Sequence, residues 1–312
     1  MLVHFFTVGQ QVAILYLLIA VGFLCGKTKF LSDGAIEGMT NFVLYIVAPC
    51  VIVQSFQRTF DPALTGALLQ AAAFTAATFL ISYVLARCTL RDPDSRKQSV
   101  YRFAVLFSNC AFMGLPLENA LLGADGLFFG AVCLTVYTLF TWTLGLQVIS
   151  GGQEGFQAKK LLTNPGIIGV AIGLVLFFSS TALPPVLAEP VGYLAALNTP
   201  VPMIIIGYHL SRARIAPILK SLRTWLVMAE RLLIIPLIGL LLGLAVKMDA
   251  TTLLACMIAL CPPTAAICTM FAVRFEQDAA LSVSLVSLST LLSIFTMPCI
   301  ILLTQYGLSA LP

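Results

Sequence analysis

Apolar residues run along this chain in long blocks, separated by short polar stretches that hold most of its charged residues. A helix needs about 20 apolar residues to cross roughly 30 Å of hydrocarbon. Ten blocks are of that order, near residues 8–26, 36–57, 62–87, 98–121, 126–149, 164–183, 189–211, 222–246, 250–273 and 279–306. The pattern predicts an all-α integral membrane protein with ten transmembrane helices, numbered 1 to 10 in that order.

Composition supports this assignment and excludes several classes of protein. The 312 residues are 60% hydrophobic and 10% charged, with a mean hydropathy of +1.01, which is too apolar for a water-soluble surface. The lipid bilayer is therefore the expected partner, and nucleic acid is not. The nine cysteines are scattered, without a Cys-x-x-Cys pair, so no disulfide framework, metal site or cofactor is expected.

Positive charges are distributed unevenly between the two sides of the predicted membrane. With the N-terminus outside, the cytoplasmic loops hold fourteen Lys and Arg residues, Lys159 and Lys160 among them, whereas the outer loops hold two, Arg58 and Lys247. Cytoplasmic loops carry the excess of Lys and Arg in membrane proteins. The chain is therefore expected in a cell (inner) membrane, with both termini outside the cytoplasm.

Several landmarks recur at a spacing of 153 residues. Pro49 falls on Pro202, Asn109 falls on Pro262, and helix 1 falls on helix 6. Residues 1–150 and 151–312 are therefore predicted to form two five-helix repeats, and the odd number of helices inverts the second repeat in the membrane. Such 5+5 inverted repeats are typical of secondary transporters, whose substrate site lies between the halves and is lined by broken helices.

Two blocks contain residues that interrupt a helix: SNCAFMGLPL at residues 108–117 in helix 4, and CPPTAA at residues 261–266 in helix 9. Proline removes a backbone donor and clashes with the preceding turn. A break in lipid survives only where protein or water satisfies the freed groups. Each break starts a second half-helix near mid-membrane, with its positive dipole end at the centre. Two such ends favour an anion, for which a carboxylate is the first candidate.

These motifs resemble those of the auxin efflux carrier family, bacterial relatives of the plant PIN-FORMED auxin exporters, which export a small aromatic carboxylate. NCAFMGLPL is similar to the family's fourth-helix motif Asn-x-x-x-Met-Gly-x-Pro-Leu. TNPGIIGVAIGL, at residues 163–174, resembles the opening of its sixth helix, and residues 262–298 resemble its ninth and tenth helices. The resemblance covers the whole chain.

The resemblance implies a fold and a role for one residue. Helices 4 and 9 would cross at the centre of ten helices, and Asn109 would bind the carboxylate of the substrate. Helices 1, 2, 6 and 7 would form a scaffold, and helices 3–5 and 8–10 a transport domain.

Candidate substrate-binding residues lie at the two breaks, at the prolines of helices 2 and 7, and in the hydroxyl-rich helices 5 and 10. They are Asn109, Met113, Gly114, Ala48, Pro49, Tyr45, Asn198, Val201, Pro262, Pro263, Thr264, Thr138 and Thr290. Pro116, Pro262, Pro263, Pro49 and Pro202 are expected to shape the interruptions. Asn109 could alternatively cap its half-helix, and Pro49 and Pro202 could mark kinks that do not touch ligand.

Glu118 lies two residues beyond Pro116 and has two interpretations. If it is buried, it could carry a coupled proton. If it lies near the outer interface, it is a solvated carboxylate without a transport role. The coupling ion, H⁺ or Na⁺, stays open.

The sequence favours a secondary active transporter that moves small organic carboxylates, auxin-like or mono- and dicarboxylate anions, by alternating access. A channel or a membrane sensor that binds an organic anion is the alternative. A homodimer through helices 2 and 7 is a further hypothesis. The helices hold no paired carboxylates, His–Cys cluster or nucleophile–base motif, so an enzyme with catalytic residues is not expected.

Overall fold

The computed structural model describes residues 2–59, 61–152 and 162–309, so Lys159 and Lys160 lie outside the described residues. All regular elements of that part of the chain are helices. Seven helical runs in it are long and apolar enough to cross a membrane, and Pro165–Phe178 and Ala250–Leu260 are shorter apolar helices. An all-helical architecture suited to a membrane is confirmed, whereas the count of ten crossings stays a prediction.

The helices follow one another with short connections. In chain order they are α1 (Leu2–Lys27), α2 (Asp33–Ser55), α3 (Ala63–Thr89), α4a (Ser95–Leu106), α4b (residues 110–122), α5 (residues 124–149), α6 (Pro165–Phe178), α7a (Pro185–Ala196), α7b (Pro200–Arg212), α8 (Leu222–Ala245), α9a (Ala250–Leu260), α9b (Ile267–Arg274) and α10 (Ala279–Ser309).

The chain reverses direction between α4b and α5 at Gly123. Its φ of 61° and ψ of −137° belong to a region that is open essentially to glycine alone. After the reversal, Gly126 and Gly130 pack against Glu118 so closely that a Cβ at either position would overlap that residue. The two helices therefore form a tight hairpin, whose turn lies between the predicted blocks 98–121 and 126–149.

The helices pack mainly in two groups. In the first group α1 lies along α7b, and α2 lies against α6 and α7a. In the second group α9a packs on α4b, α5 and α10, and α3 packs on α5 and α8. The first group has a close crossing, because a Cβ on Gly22 would overlap the backbone of Ile204 and a Cβ on Gly207 would overlap the backbone of Ile19. Small residues permit such close approach of apolar helices.

Pro49 and Pro202 were expected to interrupt helices 2 and 7 at matched positions, and the structure shows neither interruption at the proline itself. The α2 helix is continuous through Pro49, and a π-helical turn at Val43–Val47 precedes it. In helix 7 the interruption lies at residues 197–199, and Pro202 falls in the first turn of α7b. A proline in a first turn costs little, because that N–H would lack a partner in any case.

Candidate functional site

The two helix breaks meet and pair with each other as a short antiparallel bridge. The Asn109 N–H donates to the Pro263 carbonyl oxygen at 2.8 Å, and the Ala265 N–H donates to the Phe107 carbonyl oxygen at 2.9 Å. The backbone groups freed by one break are thus satisfied by the other, which lipid could not do. We call this pairing of residues 107–109 with 263–265 the crossing.

Two hydroxyls reinforce the crossing in a reciprocal way. The Ser108 hydroxyl donates to the Ala259 carbonyl oxygen in α9a at 2.7 Å, and the Thr264 hydroxyl donates to the Ala104 carbonyl oxygen in α4a at 3.0 Å. The Thr264 N–H in turn donates to the Ser289 hydroxyl of α10 at 3.2 Å. The structure therefore gives Thr264, one of the predicted substrate-binding residues, bonds that hold the crossing together.

The pairing places the two breaks opposite each other. The bridge joins Ser108 to Thr264 and brings Asn109 opposite Pro263, next to the Pro262 that the offset of 153 aligns with Asn109. The repeat itself stays a prediction. The second break is longer than the first, residues 261–266 against 107–109, because two consecutive prolines keep the chain out of the helix.

Asn109 has an unsatisfied side chain at the crossing. It is 3% exposed, and its amide nitrogen Nδ2 has no hydrogen-bond partner among the described residues. It makes no side-chain capping bond, although its carbonyl oxygen accepts from the Met113 N–H at 2.9 Å. Capping, the alternative role for Asn109, is therefore not observed, and a buried N–H donor is left for another acceptor.

Both second half-helices begin at the crossing. The α4b helix starts with a π-helical turn at Cys110–Gly114, and α9b starts at Ile267. First-turn N–H groups lack partners within their helix, and each N-terminus carries about half a positive charge. Gly114 lets α4b approach α9a, since a Cβ there would lie 3.4 Å from the Ile258 carbonyl oxygen.

A cleft of about 330 Å³ opens beside the start of α4b, and we call it the Asn198 cleft. Gln54, Pro116 and Asn119 are among the residues that line it. The Asn198 Nδ2 donates to the Ala111 carbonyl oxygen at 3.0 Å, whereas its Oδ1 is buried without a partner. The structure thus places Asn198 against Ala111, which follows Asn109 by two residues in the first turn of α4b.

A second and much smaller cleft lies between α7b and the elements that follow the second break. It encloses about 20 Å³ and is lined by Ile206, His209, Thr269 and Ser287, among others. We call it the His209 cleft. Thr269 of this cleft lies 153 residues after Pro116 of the Asn198 cleft, which is the spacing of the predicted repeat.

Several of the predicted residues on α2 and α7 do not line the Asn198 cleft. Tyr45 is 57% exposed. Ala48, Pro49 and Val201 are half-buried outside that lining, and Pro49 packs against Gly169 of α6. On α2, Tyr45 therefore meets the surface, and Pro49 meets another helix.

Thr138 and Thr290, the two threonines of helices 5 and 10 predicted to bind substrate, differ in the hydrogen bonding of their hydroxyl groups. The Thr138 hydroxyl donates to the Leu134 carbonyl oxygen of its own helix at 2.7 Å. The Thr290 hydroxyl is buried without a partner, and the Thr290 carbonyl oxygen accepts from the Tyr16 hydroxyl of α1. Of the pair, Thr290 alone has a free side-chain group.

Glu118 is buried, with 1% of its surface exposed, and neither carboxyl oxygen has a partner among the described residues. The titratable groups that interact with it electrostatically are the thiols of Cys110, Cys133, Cys256 and Cys261. The absence of a Cβ at Gly130 leaves room for its carboxyl group. A solvated carboxylate is therefore excluded for this conformation. No group of three potential metal ligands occurs in the described part of the chain.

Arg231 was not among the residues predicted from the sequence. It lies in α8, is fully buried, and donates to carbonyl oxygens of both first half-helices. The available signal was an arginine next to Glu230 in the middle of a block of apolar residues.

Comparison with known proteins decides the family. Residues 7–301 match the sequence model of the family described as membrane transport protein. The chain belongs to this family. It is the auxin efflux carrier family indicated by the motifs, so that resemblance is confirmed. The chain is also 24% identical over 297 residues to an uncharacterized transporter of Methanothermobacter thermautotrophicus, covering 93% of this chain and 96% of the relative. A multi-pass membrane transport protein is the function that family membership and the apolar helices indicate together.

Proposed function

We propose that this member of the auxin efflux carrier family is a secondary active transporter that moves small organic carboxylates by alternating access. Its ten transmembrane helices form two inverted repeats of five in a cell (inner) membrane, with both termini outside the cytoplasm. The observation that carries the proposal is the unpartnered Asn109 amide at the crossing, beside the N-termini of α4b and α9b.

The chemistry of the crossing suits a carboxylate. A carboxylate offers only acceptors, whereas the crossing offers a buried side-chain N–H and the first-turn N–H groups of two half-helices. Anions bind at helix N-termini through such N–H groups and the helix dipole. A neutral solute would leave the two positive ends uncompensated.

The two clefts support alternating access. The Asn198 cleft borders α2, α4b and α7, and the His209 cleft borders α7b, α9b and α10. One is wide and the other nearly closed, as expected of a carrier that exposes its site to one side at a time. In this proposal the group of α1, α2, α6 and α7 is the scaffold, and the remaining helices move against it as the transport domain.

Glu118 is the proposed carrier of a coupled proton. It lies on α4b nine residues beyond Asn109, about 13 Å along the helix, and is buried among thiols with no cation bonded to it. Intramembrane carboxylates commonly form proton relays in transporters. Loss of its proton would place a negative charge on the half-helix that holds the anion, so anion and proton would bind together.

A two-step experiment tests the proposed function. Purified protein is first heated with a panel of small mono- and dicarboxylates, since a ligand of the native state raises the melting temperature. An acid that raises it is then used for counterflow in proteoliposomes, where saturable exchange of labelled acid is expected. Flux without saturation would indicate a channel, and binding without flux a sensor. No thermal shift with any acid would contradict the carboxylate assignment.

A further inference from the structure

Arg231 joins the C-terminal ends of two half-helices. Its Nη1 donates to the Val105 carbonyl oxygen at 3.0 Å, and its Nη2 donates to the Leu260 carbonyl oxygen. Val105 lies in the last turn of α4a, and Leu260 is the last residue of α9a. The guanidinium can donate to two acceptors at once. One side chain of α8 therefore links the C-terminal ends of α4a and α9a, just before the crossing.

No carboxylate forms a salt bridge with this cation in the part of the chain that the structure describes. Glu230 is adjacent in sequence, but its oxygens, like those of Glu118, have no hydrogen-bond partner. Tyr137 of α5 lies beside the guanidinium, and the remaining nitrogen Nε has no partner. A buried charge is costly unless polar groups compensate it. The compensating groups here are the carbonyl dipoles at the two helix ends.

The charges around the crossing can be counted. A helix C-terminus carries about half a negative charge, and an N-terminus about half a positive charge. The two C-termini that Arg231 bonds thus sum to about one negative charge, which the guanidinium cancels. The N-termini of α4b and α9b are left with about one positive charge beside the buried Asn109.

We propose that Arg231 sets the charge selectivity of the crossing: by neutralising the ends of α4a and α9a, it leaves a site matched to one negative charge. This inference rests on the proposed carboxylate transport and narrows its substrate class to monoanions. A dianion would bring one unmatched charge into a low-dielectric site. Arg231 contacts protein groups only and is therefore a positioning residue.

Three substitutions separate its charge from its hydrogen bonds. Arg231→Lys keeps the charge, Arg231→Gln keeps N–H donors without the charge, and Arg231→Met keeps only the bulk. Calorimetry on monodisperse protein measures three matched probes: phenylacetate, its neutral amide phenylacetamide, and the dianion 1,4-phenylenediacetate. Wild type should bind phenylacetate about 10-fold more tightly than either other probe, a difference of the size expected for charge at a buried helix end.

The variants should then divide by charge. Arg231→Lys should retain phenylacetate binding within about 5-fold, and Arg231→Gln and Arg231→Met should lose about 10-fold or more, with a smaller loss for phenylacetamide. Equal affinity of the Lys and Gln variants would overturn the inference, because hydrogen bonds alone would then explain the residue.

The wild-type protein provides a second test that does not depend on how the variants fold. Tighter binding of the dianion than of phenylacetate would overturn monoanion selectivity even if the neutral variants cannot be purified. If wild type binds none of the three probes and none of the acids in the thermal-shift panel, the proposed function is contradicted, and the inference fails with it.

Discussion

The side-chain N–H of Asn198 donates to the carbonyl oxygen of Ala111 at 3.0 Å. This bond connects the interruption between α7a and α7b to the first turn of α4b, two residues after Asn109. The buried Oδ1 of Asn198 has no partner. A carboxylate that enters through the Asn198 cleft would therefore pass this side chain, and a charge at position 198 should act on the site.

Asn198→Asp is expected to weaken carboxylate binding more than Asn198→Ala does. The alanine removes one neutral hydrogen bond within the protein, which should cost stability, about 0.5–1.5 kcal/mol, more than affinity. The aspartate adds a like charge near the bound anion, and about 10-fold in affinity should be lost. Asn119→Asp makes the same change at an exposed position of the same cleft and should have little effect. Calorimetry that finds Asn198→Asp as tight as Asn198→Ala would remove position 198 from the site.

Glu118→Gln is expected to flatten the pH dependence of uptake into proteoliposomes while leaving binding largely intact. Glutamine imitates the protonated carboxyl group, so the variant can no longer gain or lose the coupled proton. Glu230→Gln is the matched control, because Glu230 is the other buried carboxylate of the described residues. An unchanged profile in Glu118→Gln would end the proton-carrier hypothesis, and a change that follows Na⁺ concentration would favour sodium coupling.

Gly207→Ala is expected to destabilise the protein by about 1–3 kcal/mol, as overpacking does. The new methyl group would overlap the backbone of Ile19 and Phe23 in α1, which cannot move aside as a side chain can. Gly38→Ala in α2 is the control, since nothing lies within 4 Å of a Cβ there, and alanine is favoured over glycine in a helix. A melting temperature for Gly207→Ala that equals that of wild type would contradict the close α1–α7b crossing.

The orientation in the membrane is tested by fusion. A reporter that is active only in the cytoplasm should be silent when it follows Pro312, because the distribution of Lys and Arg predicts an outer C-terminus. The same reporter in the segment after α3, near Arg91 and Arg96, should be active. Strong activity at the C-terminus would overturn both the orientation and the inverted repeat.

The helices were predictable from sequence because the signal is local. An apolar block long enough to span lipid is visible in the residues themselves, and the prolines of CPPTAA mark the second break, where α9a ends and α9b begins. The motif around Asn109 also located the first break, although the structure confines it to residues 107–109 and places Pro116 in the first turns of the half-helix that follows.

The hydrogen bonds across the crossing were not predictable, because they join residues about 150 positions apart. Nothing in the residues around Ser108 indicates that it bonds Ala259, and nothing around Arg231 indicates the carbonyl oxygens it meets. The orientation of α2 was missed for a different reason. The π-helical turn at Val43–Val47 changes the number of residues per turn, so helical spacing does not give the direction in which Tyr45 projects.

The most direct test of the account is the affinity of Asn109→Ala for the transported acid and for its neutral amide. A hydrogen bond to a charged group is worth about 1.5–3 kcal/mol, so the acid should bind about 10- to 150-fold more weakly to the variant, and the amide should lose less. Asn119→Ala, an exposed asparagine on the same half-helix, should bind as wild type does. Equal affinity of wild type and Asn109→Ala for the acid, measured by calorimetry on folded and monodisperse protein, would contradict a carboxylate site at the crossing.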